Sequence, residues 1–228
     1  MKIAGIDYSP VSPAVVVFNL DPDNLEIKSI NWHGVTDVMK NQKLYPQNLE
    51  TVRLKDYPYY IDRNIAVRER ITAFLSYHHP EYAAIEDYAF AGKGKVFHIG
   101  EATGPIKEFI YTRRMKLRYY DITYIKKFAT GSAASHVDKV VIARAFEALE
   151  EMKPDISKLD ILRGKSPSAD IIDAFFICRI LHTELMLRKG LIKLQDLPEH
   201  VIWVFNRTTN SEPENLLCRP FVQSPQAV

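Results

Sequence analysis

Four acidic residues stand where a carboxylate is costly. Asp7 follows the apolar run Ile3-Ala4-Gly5-Ile6, and Glu86 follows Ala83-Ala84-Ile85. A charge at the end of a buried strand needs something to compensate it. Asp170 and Asp173 lie three apart near the start of a very apolar stretch reaching Ile177, so a helix there sets both carboxylates on one face. Singly, the first three have ordinary explanations: Asp7 as a turn residue, Glu86 as a lysine's partner, Asp170 as an acid favoured at a helix N-terminus. Asp173 is harder to explain away, because it interrupts a hydrophobic face and charges are almost never buried unpaired. Together the four favour a shared cation site.

Oxygen-only ligation selects a hard ion, Mg²⁺ with Mn²⁺ as its substitute, and no cluster of His or Cys competes for zinc. Two such ions about 3.5–4 Å apart activate a water and stabilise the leaving oxygen during in-line attack at phosphorus. The chemistry expected is phosphodiester hydrolysis. Asp87 ranks below Glu86, since successive side chains of a strand point to opposite faces.

The elements around these acids alternate. Lys2 to Ile6, Ala14 to Leu20 and Leu25 to Trp32 read as strands, the last two joined as a hairpin by Asp21-Pro22-Asp23-Asn24. From His33 to Tyr60 the pattern dissolves into a tyrosine-rich segment with Pro46 and Pro58, taken as an inserted loop. Ile61 to Tyr77 has the helical period, Tyr82 to Tyr88 strand character, Glu101 to Met115 helix, and Leu117 to Thr123 strand. Lys126 to Ser135 reads as a basic loop and Val137 to Met152 as a helix. Ser166-Pro167 supplies a cap and first-turn proline for a helix running to Arg188. Beyond Gly190 only Val201 to Phe205 looks like a strand. The expectation is an α/β domain over 1–190, a mixed sheet of three antiparallel strands followed by parallel ones and flanked by helices, with the insertion at 33–60 and a C-terminal extension at 191–228.

A chain of 228 residues that is 46% hydrophobic and 25% charged buries a sizeable core. The formal charge of +2 is too small to point to a polyanion, but its distribution is uneven. Ala91 to Arg144 holds eleven Lys and Arg against four acids, which leaves the rest net acidic. That excess is either a solvated helix face or a phosphate-binding surface. The two cysteines, Cys178 and Cys218, have no metal-ligand spacing, and a reducing cytoplasmic setting is the default. No apolar run approaches the roughly 18 residues needed to span a bilayer, so no membrane association is expected.

The motifs resemble, in type and in order, the RuvC family of Holliday-junction resolvases, especially its divergent phage-type members. Gly5-Ile6-Asp7-Tyr8-Ser9 resembles the family's first-strand aspartate motif and Ala84-Ile85-Glu86-Asp87 its glutamate strand. Ile99-Gly100-Glu101-Ala102-Thr103-Gly104 is similar to the opening of the next helix. Ile125 to Gly131, ending at Asp138-Lys139, resembles the lysine-bearing loop, and Ala169 to Ala174 the closing double-aspartate helix. The resemblance implies an RNase H-like fold and a homodimer that resolves four-way DNA junctions by paired, Mg²⁺-dependent nicks, with Asp7, Glu86, Asp170 and Asp173 as catalytic metal ligands. It further implies that Lys126 and Lys139 contact DNA near the scissile phosphate, Lys139 stabilising the developing charge, with Lys127 replacing Lys126 if the register differs by one. Where the bacterial members carry a junction-stacking aromatic this chain has Ala89, flanked by Tyr88 and Phe90, either of which takes the role. His136 in the lysine loop is a candidate for proton transfer, against the commoner role of surface histidine.

Three other readings compete. An actin-like or sugar-kinase ATPase also begins with an aspartate after an apolar strand, but it calls for glycine-rich phosphate loops, and the first turn here is Tyr8-Ser9-Pro10. A non-catalytic junction-binding protein is expected to have lost one of the acids, and all four are present. A general debranching or flap endonuclease shares every one of these features.

Overall fold

The structure, a computed structural model, describes residues 1–9, 11–37, 46–87, 95–133, 138–159 and 164–207, with 95–99 described in backbone only. Six strands form one sheet in the order β4-β3-β2-β1-β5-β6. They are β1 (Lys2–Asp7), β2 (Ala14–Leu20), β3 (Ile27–Thr36), β4 (Leu49–Thr51), β5 (Tyr82–Glu86) and β6 (Lys116–Tyr120). β1, β2 and β3 pair antiparallel; β5 joins β1 and β6 joins β5 in parallel, each after a helical crossover. The expected mixed sheet is therefore present. The β2–β3 turn is held by Asp21, whose Oδ1 accepts the N–H of Asp23 at 3.0 Å.

Helices cover both faces. α1 (Tyr60–His78) and α2 (Lys95–Thr112) pack on one, where Val67, Ile71 and Leu75 of α1 and Ile106 and Ile110 of α2 meet Ala4, Ile6, Val15 and Val17. The other face receives Ile3, Val16 and Phe18 under α3 (Ile122–Thr130), α4 (Lys139–Glu147), α5 (Ser168–Arg188) and α6 (Glu199–Arg207). The period-2 alternation along β1 and β2 thus feeds two separate cores.

α5 is the central helix, buried along nearly its whole length of about 31 Å. Phe175 stands against Phe18 of β2 and Phe146 of α4, with ring centroids 5.7 and 5.2 Å away. α5 crosses β1 at Gly5, where an added Cβ would collide with Ala174 O and with Cys178 N. Only glycine permits that approach. At its far end α5 carries the fully buried Glu184, whose carboxylate accepts from Arg118 Nη2 at 2.6 Å, Tyr120 Oη at 2.7 Å and Arg188 Nε at 2.8 Å. These bonds fasten α5 to β6.

Several boundaries differ from the sequence expectation. β3 runs on to Thr36, and Leu49–Thr51 adds a parallel edge strand, so the segment expected as an irregular insertion contributes to the sheet. Arg63 of α1 donates to Val52 O, just after β4, and, at 2.8 Å, to Val11 O in the loop after β1. The basic segment expected as a loop is helix α3 up to Thr130, because Asp121 caps its N-terminus and Gly131 closes it in the left-handed conformation. α5 begins at Ser168 without a side-chain cap, so Ser166 is not its N-cap. The strand expected at Val201 to Phe205 is part of α6, where Val201, Val204 and Phe205 are buried at the helical spacing. Among the described residues no helix is long and apolar enough to cross a membrane.

Candidate active site

Parity brings the two strand acids together. Asp7 lies on the face of β1 shared by Ile3 and Gly5, and Glu86 on the face of β5 shared by Ala84, both facing α5. The parallel register matches Ile6 to Ile85, so Asp7 and Glu86 terminate neighbouring strands at the same level. Strands so paired are about 4.8 Å apart. The Gly5 crossing presses the first turns of α5 onto this strand end and delivers Asp170 and Asp173, both buried, to the same place.

The electrostatics confirm the convergence. Burial, then Asp170, Asp173 and Glu86 in that order, push the Asp7 carboxyl well above its ordinary range. Glu86 is raised to about 7 by burial and by Asp173. Asp173 is raised to about 6 by burial, with Asp170 adding to the rise against the opposing pull of Lys139. A fifth acid nearby is Asp121, the cap of α3, which also raises Glu86. In the sequence Asp121 fell within the segment expected as a strand from Leu117 to Thr123 and did not stand out as a site residue.

Lys139 opens α4 behind the cap Asp138, whose side chain accepts the N–H of Val141 at 3.0 Å. Its Nζ lies 3.0 Å from Asp170 Oδ1 and 3.5 Å from Asp173 Oδ2. Burial works against its charge, but Asp170, Asp173 and Asp7 more than compensate and raise it above the ordinary lysine value. Gly164, at φ +57°, fits against the backbone of Lys139 and Val140 and holds the start of α4 in place. Lys126 of α3 is near enough to Glu86 and Asp173 to favour their charged forms. Lys127, one residue on, turns instead to the ring of Trp203, 5.5 Å from its centroid. Asp87 continues the ladder with β6, its N–H bonded to Tyr120 O at 2.8 Å. Tyr88, Phe90 and His136 lie outside the described residues.

The donor chemistry fits a hard divalent cation. Asp170 Oδ2 is buried and has no hydrogen-bond partner, and burial, with the like charges around them, disfavours the charged forms of Asp7, Glu86 and Asp173. As the side chains stand, no three of His, Cys, Asp or Glu among the described residues form a ready-made shell. The charge is offset by the Lys139 ammonium instead.

No protein-family model and no curated protein matches the sequence. Solved structures do. Thermus thermophilus RuvC in complex with Holliday junction substrate is similar with a TM-score of 0.53 and 17% identity, covering 85% of this chain and 98% of that one. A second structure of Thermus thermophilus RuvC gives 0.46 at 17% identity over 85% and 99%. The fowlpox virus resolvase in complex with Holliday junction DNA gives 0.47 at 18% identity over 82% and 99%. The first likeness, at a TM-score of 0.53 over 85% of this chain, is high enough to assign the architecture. The chain has the RNase H-like fold of the RuvC-type resolvases.

Proposed function

We propose that the chain is a metal-dependent, structure-selective DNA endonuclease that resolves four-way junctions by paired phosphodiester hydrolysis, working as a homodimer with one strand cut per active site. The observation that carries this reading is the set of four carboxylates, Asp7, Asp170 and Asp173 buried and Glu86 half-buried, gathered where β1, β5 and α5 meet, with Lys139 among them. The fold-mate with the highest structural similarity quoted above was solved with a Holliday junction, which is the substrate class adopted here.

Asp7, Glu86, Asp170 and Asp173 would hold Mg²⁺, which when bound supplies Lewis-acid charge and lowers the pKa of the attacking water. The protein's own groups do the rest. The carboxylates orient the site from rigid strand and helix ends rather than from loops. Lys139, kept protonated by its neighbours, offers an ammonium to charge developing on the phosphoryl oxygens, and Lys126 holds the approaching backbone. In the reaction a water oxygen bonds to phosphorus, the P–O bond to the leaving sugar oxygen breaks, and one proton of the water ends on that oxygen, giving a phosphate monoester and a free hydroxyl.

Purified protein is to be incubated with four-way, three-way, flap and linear duplex DNA in Mg²⁺ or EDTA, beside Asp7→Asn. Metal-dependent symmetric nicking confined to four-way junctions is expected. Comparable cutting of flaps and three-way forks would replace this reading with a general debranching nuclease. Wild-type protein that binds junctions and cuts none with any divalent ion would end the catalytic reading.

A further inference from the structure

Helix α6 lies antiparallel along α3. At one end His200 stands beside Gly131, where a Cβ would meet its Cγ at 3.8 Å; at the other, Tyr124 Oη donates to Arg207 O at 3.0 Å. Between them sits the half-buried Trp203. Arg207 Cζ lies 4.9 Å and Lys127 Nζ 5.5 Å from its ring centroid, with the Tyr124 ring edge-on at 6.0 Å. Two like charges are thus seated on one indole, and neither has a carboxylate partner among the described residues.

A single cation would suffice to pack an indole against a helix. Two unneutralised ones repel each other and favour an anion. Their place is informative too. Lys126, the residue before Lys127 on α3, acts on Glu86 and Asp173, so the pair continues directly from the carboxylate site. A ring carrying two cations has little face left for a base. The chemistry recognised is therefore phosphate, without sequence readout.

We propose that α6 is a DNA-contacting element, in which Arg207 and Lys127, seated on Trp203, bind backbone phosphates of the DNA arm leaving the carboxylate site. The inference rests on the DNA-cleaving reading above and adds to it a binding surface supplied by the C-terminal extension.

The test measures binding of the full chain to a labelled four-way junction in EDTA, where nothing is cut, across a KCl series. Each phosphate contact contributes about 0.9 to the slope of log K against log salt. Arg207→Ala should make that slope shallower by about 0.9 and weaken low-salt binding several-fold, equally for junctions of unrelated sequence. Arg207→Lys should keep the slope. Arg207 is exposed, so its variants should keep the wild-type melting midpoint. Trp203→Leu, which keeps an apolar side chain under α6, should also weaken binding. If wild type binds and cuts junctions while Arg207→Ala and Trp203→Leu match it in slope and affinity, this inference alone is overturned. If wild type binds no branched DNA, both readings fall.

Discussion

Lys139 Nζ sits 3.0 Å from Asp170 Oδ1 and 3.5 Å from Asp173 Oδ2, the first residue of α4 bridging the first two turns of α5. The contact places a cation inside the acidic cluster, where it also acts on the strand acids Asp7 and Glu86. Lys139→Met should therefore lower junction cleavage by roughly 10²-fold or more, the usual effect of removing one charge stabiliser from a reacting oxyanion. Mg²⁺ should still raise the melting midpoint of the variant. Unimpaired cleavage would make Lys139 a purely structural counter-ion.

Metal binding should depend on pH with a definite sign. Folded pKa values raised to about 7 for Glu86 and about 6 for Asp173 mean that the metal-free folded chain holds protons the unfolded chain has released. Those protons favour the fold at low pH, and their contribution is lost as pH rises through 6 and 7. Mg²⁺ replaces them. The rise in melting midpoint produced by Mg²⁺ should accordingly be larger at pH 8 than at pH 6, where protons compete for the same oxygens. An equal rise at both would separate the metal from these carboxylates.

Gly5→Ala should act on stability and chemistry together. The added methyl meets the backbone of α5 at Ala174 and Cys178 rather than a side chain that could swing aside. Overpacking of this kind costs about 1–3 kcal/mol, and the helix displaced is the one that carries Asp170 and Asp173. Urea denaturation should show the loss, and single-turnover cleavage should fall further than junction affinity.

Arg118→Met tests the other end of α5. Glu184 is completely buried, and Arg118 is one of its two cationic partners, with Arg188. Removing one side of a buried pair typically costs about 3–5 kcal/mol. The remaining bonds from Arg188 and Tyr120 should hold the loss near the lower figure, measured by denaturant midpoint.

Much of this site was legible because its acids break strong patterns. Asp7 and Glu86 each end a short apolar strand, and Asp173 interrupts a hydrophobic helix face, so each stood out without any tertiary information. Lys127 did not resolve so simply. Its helix, α3, looked like a basic loop, since the Lys126-Lys127 pair and the following Gly131 masked the apolar spacing of Ile122, Ile125 and Phe128. Only the three-dimensional placement turns Lys126 to the acids and Lys127 to Trp203. α6 misled for a different reason: Val201-Ile202-Trp203-Val204-Phe205 is rich in residues that favour strands, and packing against α3 overrides that preference. β4, at three residues, exists only through its pairing with β3 and has no local signal strong enough to read. Asp121 lay inside the segment expected as a strand and gave no hint of its cap role or of its nearness to Glu86.

The crossing of α5 over β1 at Gly5 also decides how much of the chain the acidic cluster needs. Two acids stand on strands paired across nearly eighty residues, and the other two ride on a helix laid across one of those strands. No fragment ending before α5 holds more than half the set. A nascent or clipped chain therefore lacks the full cluster, which exists as a property of the closed tertiary structure rather than of any segment within it.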